Sequence, residues 1–362
     1  MKKSSMNKDY ISLDNQRILV TGAAGFIGTN LVLRLLHEIT GSTIIGVDNL
    51  NAYYDVNLKH YRLGLIEEAA KDSGSTWQFI KGSIADRALT DGIFEKYRPS
   101  VVVNLAAQAG VRYSIDHPDI YIESNVIGFY YILEACRRYP VEHLVYASSS
   151  SVYGGNPKVP FSVEDKVDNP VSLYAATKKS DELLAHAYSK LYDIPSTGLR
   201  FFTVYGPAGR PDMFYYSATC KLLAREKIKI FNYGDCKRDF TYIDDIVEGV
   251  VRVMRGAPKK TTGEDGLPIA PYAIYNIGGG QPENLLDFIG VLQDELVRAG
   301  LLPKDYDFEE YKELIGMQPG DVPVTYADCT ALETDYGFRP QTDIRHGLRA
   351  FAEWYRDYYG VE

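Results

Sequence analysis

The chain has few cysteines and histidines, and neither type is arranged as a metal site requires. Its 4 cysteines (Cys136, Cys220, Cys236 and Cys329) form no Cys-x-x-Cys pair, and its 6 histidines form no His-x-x-x-His pair. This pattern argues against a zinc site and against a disulfide framework, and it is typical of reduced thiols. We therefore expect no metal and a cytoplasmic location.

Long apolar runs and an excess of positive charge are also missing. No stretch of about 18 apolar residues occurs, so the sequence predicts no membrane span. Residues 1–16 are polar and lack the apolar segment of a signal peptide, so we expect a flexible N-terminal arm. The net charge of −9 disfavours a nucleic-acid partner, because binding phosphates along a nucleic acid requires a basic surface. A small anionic substrate remains compatible if a few arginines converge.

A glycine-rich turn follows the first apolar run, residues 17–21, and precedes an amphipathic helix. Its glycines, Gly22, Gly25 and Gly28, would let the backbone approach a pyrophosphate at the helix N-terminus. The next apolar run ends at Asp48, where a carboxylate can accept hydrogen bonds from the adenosine ribose hydroxyls. Because a carboxylate repels a 2′-phosphate, the pattern predicts NAD rather than NADP. A glycine turn without a ligand is the alternative.

Strand and helix patterns alternate through the first 200 or so residues, which indicates repeated βα units. We therefore predict an α/β fold with a Rossmann-type, doubly wound parallel sheet. Ligands of such sheets bind where the strands end, and the following residues fall at predicted strand ends: Gly22, Asp48, Ile84, Ala106 and Ser149.

The predicted sheet divides the chain into two domains. We expect residues 17–202 to form the NAD-binding Rossmann domain, with 237–255 and 343–359 returning to it. Residues 203–236 and 256–342 would form a smaller, mostly C-terminal α/β domain that binds the substrate.

A run of serines and a Tyr-x-x-x-Lys pair supply groups suited to proton transfer. Ser149 lies at a strand end, and Tyr174 and Lys178 share one face of the following helix. The serine can hold a substrate oxygen, the tyrosine can move its proton, and the lysine charge favours the tyrosinate. The spacing recurs at Tyr233 and Lys237 in a turn-like segment, so the pair is informative only together with the cofactor motif upstream.

Longer motifs resemble the extended short-chain dehydrogenase/reductase family, and within it the UDP-glucuronate 4-epimerases. The resemblance covers nearly all of the chain past residue 16. The motifs are AAQAGVRYS (106–114), YASSSSVYGG (146–155), PVSLYAATKK (170–179), RFFTVYGPAGRPDM (200–213), KRDFTYIDDI (237–246) and MQPGDVPVTYAD (317–328).

The resemblance implies an NAD-dependent enzyme that interconverts UDP-glucuronate and UDP-galacturonate by transient oxidation at C4, rotation of the 4-keto sugar and re-reduction. Tyr174 would be the catalytic base, Lys178 its partner and ribose anchor, and Ser149 the hydroxyl that positions the sugar 4-oxygen. Related dehydratases carry an Asp-Glu pair after this serine position, and decarboxylases carry a Glu. Ser150 and Ser151 stand there instead, which favours simple epimerisation.

The same resemblance assigns residues to the two ligands. The cofactor-binding residues would be Gly22, Gly25, Phe26, Ile27, Gly28, Asp48, Asn49, Ser83, Ile84, Ala106, Ala107, Gln108, Tyr174 and Lys178. The substrate-binding residues would be Arg112, Ser149, Ser150, Ser151, Thr203, Arg210, Ile230, Phe231, Arg238 and Asp321.

Arg210 is the predicted determinant of substrate choice, because a guanidinium binds a uronate carboxylate through paired hydrogen bonds. The resemblance places Thr203 beside it. Pairing of Arg210 with Asp212 in a surface loop is the alternative. Arg112 could equally contact the carboxylate, neutralise the diphosphate or face solvent.

The remaining assignments concern the nucleotide. Arg238 resembles the diphosphate-binding arginine and Asp321 the residue that contacts the uridine ribose. Ile230 and Phe231 would flank the uracil. The loop around Arg210 departs from the family pattern at Ala208 and Phe214.

Two other functions stay open from the sequence. One is a 4-epimerase of neutral UDP-hexoses such as UDP-glucose and UDP-galactose. The other is a non-catalytic, NAD-binding regulator that keeps the fold. Helical patterns at 121–139 and 173–192 carry apolar residues beyond one stripe, so we expect a homodimer through the four-helix contact common in this superfamily.

Overall fold

A computed structural model gives the structure of the protein and describes residues 6–317 and 322–361. The strands are β1 (Lys8–Tyr10), β2 (Arg17–Thr21), β3 (Thr43–Asp48), β4 (Thr76–Lys81), β5 (Val101–Asn104), β6 (His143–Ser149), β7 (Ser196–Phe201), β8 (Thr203–Tyr205), β9 (Ile228–Ile230), β10 (Lys237–Tyr242), β11 (Gly256–Pro258), β12 (Thr261–Thr262), β13 (Pro268–Ile269), β14 (Tyr272–Ile277), β15 (Pro282–Asn284) and β16 (Lys312–Leu314).

The helices alternate with these strands over most of the chain. The α-helices are α1 (Phe26–Glu38), α2 (Val56–Lys71), α3 (Arg87–Tyr97), α4 (Tyr113–Asp116), α5 (Pro118–Tyr121), α6 (Gly128–Arg138), α7 (Leu173–Tyr192), α8 (Phe214–Leu223), α9 (Ile243–Met254), α10 (Leu285–Arg298), α11 (Thr330–Tyr336) and α12 (Ile344–Tyr359). A π-helical segment spans Ile122–Ile127, and short 3₁₀ turns span Ser150–Tyr153 and Phe231–Gly234. None of the helices in the described ranges is both long and apolar enough to cross a bilayer.

The central sheet has seven parallel strands in the described part of the chain, in the order β14-β7-β6-β5-β2-β3-β4. From β2 the chain first builds outward through β3 and β4, then returns to the other side of β2 with β5, β6 and β7. The strand order therefore reverses between β2 and β5, where doubly wound sheets bind their ligands. The predicted Rossmann-type fold is confirmed.

Both faces of this sheet are covered, which explains the continuous apolar runs in the sequence. Successive residues of a strand point to opposite faces, and Ile18 and Val20 join one core cluster while Leu19 joins another. α1 and α9 pack on the first face, and α3 and α6 pack on the second. The ends of the strands stay free of both layers and can host a site.

A smaller α/β portion lies beyond the strand ends. In it, β8 pairs with β10 and β10 with β15, while β9 pairs with β16. The aromatic ring of Phe351 in α12 packs edge-to-face on Tyr215 of α8, and the indole of Trp354 donates to Tyr61 of α2 at 3.3 Å. The last helix therefore contacts both portions of the molecule.

Two segments differ from the sequence-based division. β14 pairs in parallel with β7 along its whole length, so residues 272–277 belong to the central sheet and not to the substrate domain. The short apolar run gave no indication of which strand it would join. Within the expected flexible arm, β1 pairs antiparallel with β11, and Ile11 and Leu13 are buried, so the expectation of a loose arm is wrong for this part.

Candidate active site

A cavity of about 1020 Å³ opens at the carboxyl ends of the central strands, between the sheet and the smaller portion. It is lined by all of the predicted cofactor and substrate residues except two. Ile230 is fully buried in the core and does not reach the cavity, and Asp321 lies outside the described residues. The side-chain contact of Ile230 with uracil, expected from the sequence, is therefore not supported by its position.

The glycine turn after β2 forms one wall of the cavity. Gly22 has φ +71°, and a Cβ there would lie 2.8 Å from the backbone nitrogen of Ala106, so a larger residue does not fit. A Cβ on Gly28 would collide with the carbonyl oxygen of Gly22. α1 begins at Phe26 without a side-chain cap and without an acidic residue in its first turn. Its first N–H groups consequently remain available to an anion.

Asp48 ends β3 beside this turn, and its position is fixed by the backbone. One carboxylate oxygen accepts from the amide of Ala24 at 3.1 Å, and the other accepts from the amide of Leu50 at 2.9 Å. Each oxygen keeps further lone pairs for ribose hydroxyls. Ser83 follows β4, where its hydroxyl accepts from the amide of Ala85 and shapes the neighbouring turn.

Gln108 is held at the end of β5 by the π-helical segment. The backbone N–H of Gln108 donates to the side-chain oxygen of Asn125 at 2.8 Å, and the side-chain amide of Asn125 donates to the backbone carbonyl of Gln108 at 3.0 Å. Asn125 also donates to the hydroxyl of Thr177 in α7. The sequence predicted one uninterrupted helix over 121–139. The π-helical segment interrupts it and changes the helical phase, so that the Asn125 side chain is buried. π-helical turns are frequent at functional sites.

These features fit a dinucleotide. The uncapped N-terminus of α1 matches a diphosphate, and Asp48 matches a ribose diol. The Nε2 atom of Gln108 is buried in the cavity wall without a hydrogen-bond partner among the described residues, so it has a donor available to a bound ligand.

The serine run forms the opposite wall. The Ser149 hydroxyl accepts from the amide of Ser151 at 3.1 Å and from its hydroxyl at 2.9 Å, which caps the 3₁₀ turn after β6. Ser150 and Ser151 line the cavity beside it. The Ser149 hydroxyl therefore retains its own proton to donate to a ligand oxygen.

Tyr174 lies in the first turn of α7, and its phenol makes no hydrogen bond within the described ranges. Its amide donates to the Ser114 hydroxyl at 3.3 Å, and its ring packs edge-to-face on Tyr121 with centroids 6.0 Å apart. The hydroxyl of Tyr121 donates to the carbonyl of Gly110 at 2.6 Å, which fixes that ring in turn. The phenol of Tyr174 is thus oriented by packing while its hydroxyl stays free for chemistry.

Lys178 follows one turn later and is almost completely buried. Its ammonium donates to the carbonyl of Ala147 at 3.0 Å and to the carboxylate of Asp181 at 3.1 Å. These two contacts hold the charge at the cavity wall, on the same helix face as Tyr174.

Arg210 enters the cavity from the loop that follows β8, together with Thr203. It binds Asp212 with two hydrogen bonds, of 3.0 and 2.5 Å, and the Tyr53 hydroxyl donates to the same carboxylate at 3.1 Å. Burial and then the nearby Asp212 raise the pKa of Tyr53 to about 12, so it stays a donor. The alternative pairing with Asp212 is therefore present, but it lines the cavity and is not confined to a surface loop.

The distal end of the cavity carries more positive charge. The Arg112 guanidinium lies 4.2 Å from the ring centroid of Phe231, at cation–π distance. Arg238 donates to the backbone carbonyl of Pro323 at 3.1 Å and also lines the cavity. Arg112 therefore lies beside the residue predicted to contact the uracil, which favours its nucleotide role over a carboxylate contact.

Sequence reasoning did not single out several residues that the structure brings to the site. Asn125 and Asp181 contact the predicted site residues Gln108 and Lys178. Tyr53 and Arg62 contact Asp212 and Gly209, which flank the predicted Arg210. Only Asp181 had a signal, since its spacing of three from Lys178 predicts contact on a helix.

Fold and site together define a dinucleotide-dependent enzyme whose cavity is lined by Ser149, Tyr174 and Lys178. The model of the NAD dependent epimerase/dehydratase family matches residues 18–278, and the chain belongs to that family.

Individual relatives are similar over almost the whole chain. The probable UDP-glucuronate 4-epimerase of Rhizobium meliloti strain 1021 is 40% identical over 95% of this chain and 98% of its own length. UDP-glucuronate 4-epimerase 4 of Arabidopsis thaliana is 44% identical over 94% of this chain and 76% of its own length. The crystal structure of UDP-glucuronic acid 4-epimerase from Bacillus cereus, in complex with UDP-glucuronic acid and NAD, matches with a TM-score of 0.79. It is 32% identical and covers 95% of this chain and 100% of that one.

Proposed function

We propose that the protein is an NAD-dependent 4-epimerase that interconverts UDP-glucuronate and UDP-galacturonate. The observation that carries this proposal is one cavity that unites the nucleotide-binding turn, the Ser149-Tyr174-Lys178 set and the guanidinium of Arg210. The similarity to UDP-glucuronate 4-epimerases across nearly the full chain supports the same assignment.

Three residues handle the proton at the sugar 4-oxygen. Ser149 donates a hydrogen bond to this oxygen, and the free hydroxyl of Tyr174, once ionised, accepts its proton. The positive charge of Lys178 favours the ionised phenol. When bound at the glycine turn and Asp48, NAD would supply the acceptor and donor of the C4 hydride, with rotation of the 4-keto sugar between the two transfers. Because the same tyrosine returns the proton, the reaction requires no separate acid.

Different groups bind the cofactor and the substrate: a carboxylate and a helix N-terminus bind NAD, and three arginines bind the UDP-sugar. Asp48 accepts from the adenosine ribose, and the N-terminus of α1 binds the NAD diphosphate. Arg238 and Arg112 bind the UDP half of the substrate, and Arg210 binds the C5 carboxylate of the sugar.

The direct test is to incubate the purified protein, loaded with NAD, with UDP-glucuronate and to resolve the products by chromatography or NMR. We expect UDP-galacturonate to form. Tyr174→Phe is the matched control, which should retain NAD and lose about 10³-fold in kcat. Absence of UDP-galacturonate with the loaded wild-type protein would reject the proposed reaction.

One observation favours a second candidate, a 4-epimerase of neutral UDP-hexoses. The guanidinium of Arg210 already has a carboxylate partner, Asp212, and so does not require one from the substrate. Values of kcat/KM for UDP-glucuronate and UDP-glucose, measured side by side, decide between the two substrates.

We extend the proposal to a cytoplasmic homodimer. Within the described ranges none of the four cysteines forms a disulfide, which is typical of proteins from reducing compartments. Leu183 and Leu191, both in α7, are exposed by 60% and 69%, and Ile122 and Ile127 of the adjoining π segment are also exposed. An apolar face of this kind is suited to pairing with the same face of a second copy.

A further inference from the structure

Lys178 has a buried carboxylate as its ion-pair partner. The ammonium and the Asp181 carboxylate are 3.1 Å apart, and each side chain is only 3% exposed. The second contact of the ammonium is the neutral carbonyl of Ala147. Asp181 is therefore the group that balances the lysine charge when it is ionised.

Asp181 is far less well satisfied than its neighbour Glu182. The Glu182 carboxylate accepts two hydrogen bonds from Arg200, one from the hydroxyl of Ser148 and one from the ammonium of Lys179. In contrast, the Oδ1 atom of Asp181 is buried without any hydrogen-bond partner among the described residues. A buried carboxylate oxygen that lacks a partner favours the protonated form of the group.

The surroundings of Asp181 make its protonation sensitive to pH near neutrality. Burial raises its pKa to about 7, with Lys178 opposing and Glu182 adding to that rise. Lys178 and Glu182 lie on the same helix. From β6, the phenol of Tyr146 faces Asp181, and from β7, Arg200 faces Glu182. Since Arg200 compensates Glu182, the charge on Asp181 acts mainly on Lys178.

We propose that Asp181 is a positioning residue that holds Lys178 and, through its own charge, sets how strongly the lysine favours ionised Tyr174. A neutral Asp181 leaves Lys178 as an uncompensated cation beside the phenol. An ionised Asp181 makes the pair neutral and weakens that effect. This inference rests on the proposed function, because it assigns the role of Asp181 through the base of that reaction.

Asp181→Asn separates the two parts of this role, which are to hold Lys178 by a hydrogen bond and to supply a negative charge. The amide oxygen still accepts from Lys178, but the negative charge is removed at every pH. The acid limb of the kcat/KM profile should therefore move to lower pH, by up to about 1 unit where it lies above pH 7 and wild-type Asp181 is ionised. Asp193→Asn is the matched control, because Asp193 caps the exposed end of the same helix and pairs with Lys260 at the surface. Its profile should coincide with the wild-type profile.

A shift in Asp181→Asn together with an unchanged Asp193→Asn supports the inference. An acid limb that stays in place, whether or not the rate falls, overturns it, because a merely structural role would lower the rate without moving the limb. If UDP-glucuronate is not turned over, the same profiles are measured with UDP-glucose. Failure of the substrate assignment is thus distinguishable from failure of the role of Asp181.

The pH dependence of unfolding gives a readout that does not need activity. Between about pH 4 and 7 the folded chain retains a proton on Asp181 that the unfolded chain has lost. Rising pH in this window should therefore destabilise the wild type relative to Asp181→Asn, with no further change above it. A constant difference in the free energy of unfolding would contradict the inference. Asp181→Ser, which also removes the charge, serves as a second variant for both measurements.

Discussion

The environment of Arg210 combines substrate recognition with an internal ion pair. Asp212 accepts from the Nε and Nη2 N–H groups along one edge of the guanidinium, and Tyr53 anchors Asp212 from the other side. A uronate must therefore share Arg210 with Asp212 or displace it. Without Arg210, the substrate carboxylate would face the unpaired charge of Asp212 alone.

Arg210→Ala should reduce kcat/KM for UDP-glucuronate by about 100-fold or more, because it removes the cation and leaves that repulsion. The loss for UDP-glucose should be smaller, since a neutral sugar is not repelled. Arg238→Ala is the control, because a diphosphate contact serves both substrates and should weaken them equally. Steady-state kinetics with both nucleotide sugars provides the comparison. Equal losses in Arg210→Ala would reject the carboxylate role.

For individual residues, the sequence predicted which side chains reach the cavity when the residue lies at a strand end or on a defined helix face. Asp48, Ser149, Tyr174 and Lys178 all reach the cavity for that reason. Ile230 does not, because its position in a short strand turns its side chain into the core. Tyr53 could not be predicted, since its contact with Asp212 joins segments 159 residues apart.

Among the secondary-structure elements, α2 contributes the link between the cofactor turn and the substrate loop. The guanidinium of Arg62 is fully buried and donates to the carbonyls of Ala24, Ala208 and Gly209, at 3.1, 2.7 and 2.8 Å. Ala208 has φ +50°, a conformation that costs an L-residue energy and requires support from its surroundings. Arg62 therefore fixes the backbone that leads into Arg210.

Arg62→Lys should raise the KM for UDP-glucuronate and weaken NAD retention together, because one ammonium cannot replace the planar fork that joins both segments. We also expect a loss of about 2–4 kcal/mol in stability, from buried carbonyls left without donors. Kinetics, NAD content and urea unfolding measure the three effects. Arg34→Lys, at a partly exposed arginine of α1 paired with Glu248, should change none of them appreciably. Wild-type affinity for both ligands in Arg62→Lys would show that the link is not needed.

Helices and strands were predicted where the hydrophobic periodicity was clear, and they were missed or left unpaired where tertiary packing determines the structure. α7 carries Tyr174 and Lys178 as expected. α2 has little apolar asymmetry, so the sequence pattern predicted neither this helix nor the position of Arg62. The partner of β14 was likewise undetermined, because strand pairing is set by the assembled sheet.

For the whole molecule, the exposed apolar face of α7 and the π segment leads to a prediction about assembly. Two such faces related by a two-fold axis would bury the exposed leucines and isoleucines of both copies. The cavity opens at the strand ends, whereas these residues lie on the helix layer, so pairing leaves the site accessible. Light scattering should therefore give the mass of two chains at micromolar concentration.

Replacing both Leu183 and Leu191 by Asp should shift this equilibrium to the monomer, since two charges on each copy would have to be desolvated in the contact. The far-UV circular dichroism and NAD content should be retained, because both side chains point away from the core. Leu267→Asp is the matched control: Leu267 is exposed to a similar degree but lies in the turn between β12 and β13. It should leave the dimer intact. A wild-type monomer at micromolar concentration, or a double variant that still forms the dimer, would place the contact elsewhere or exclude it.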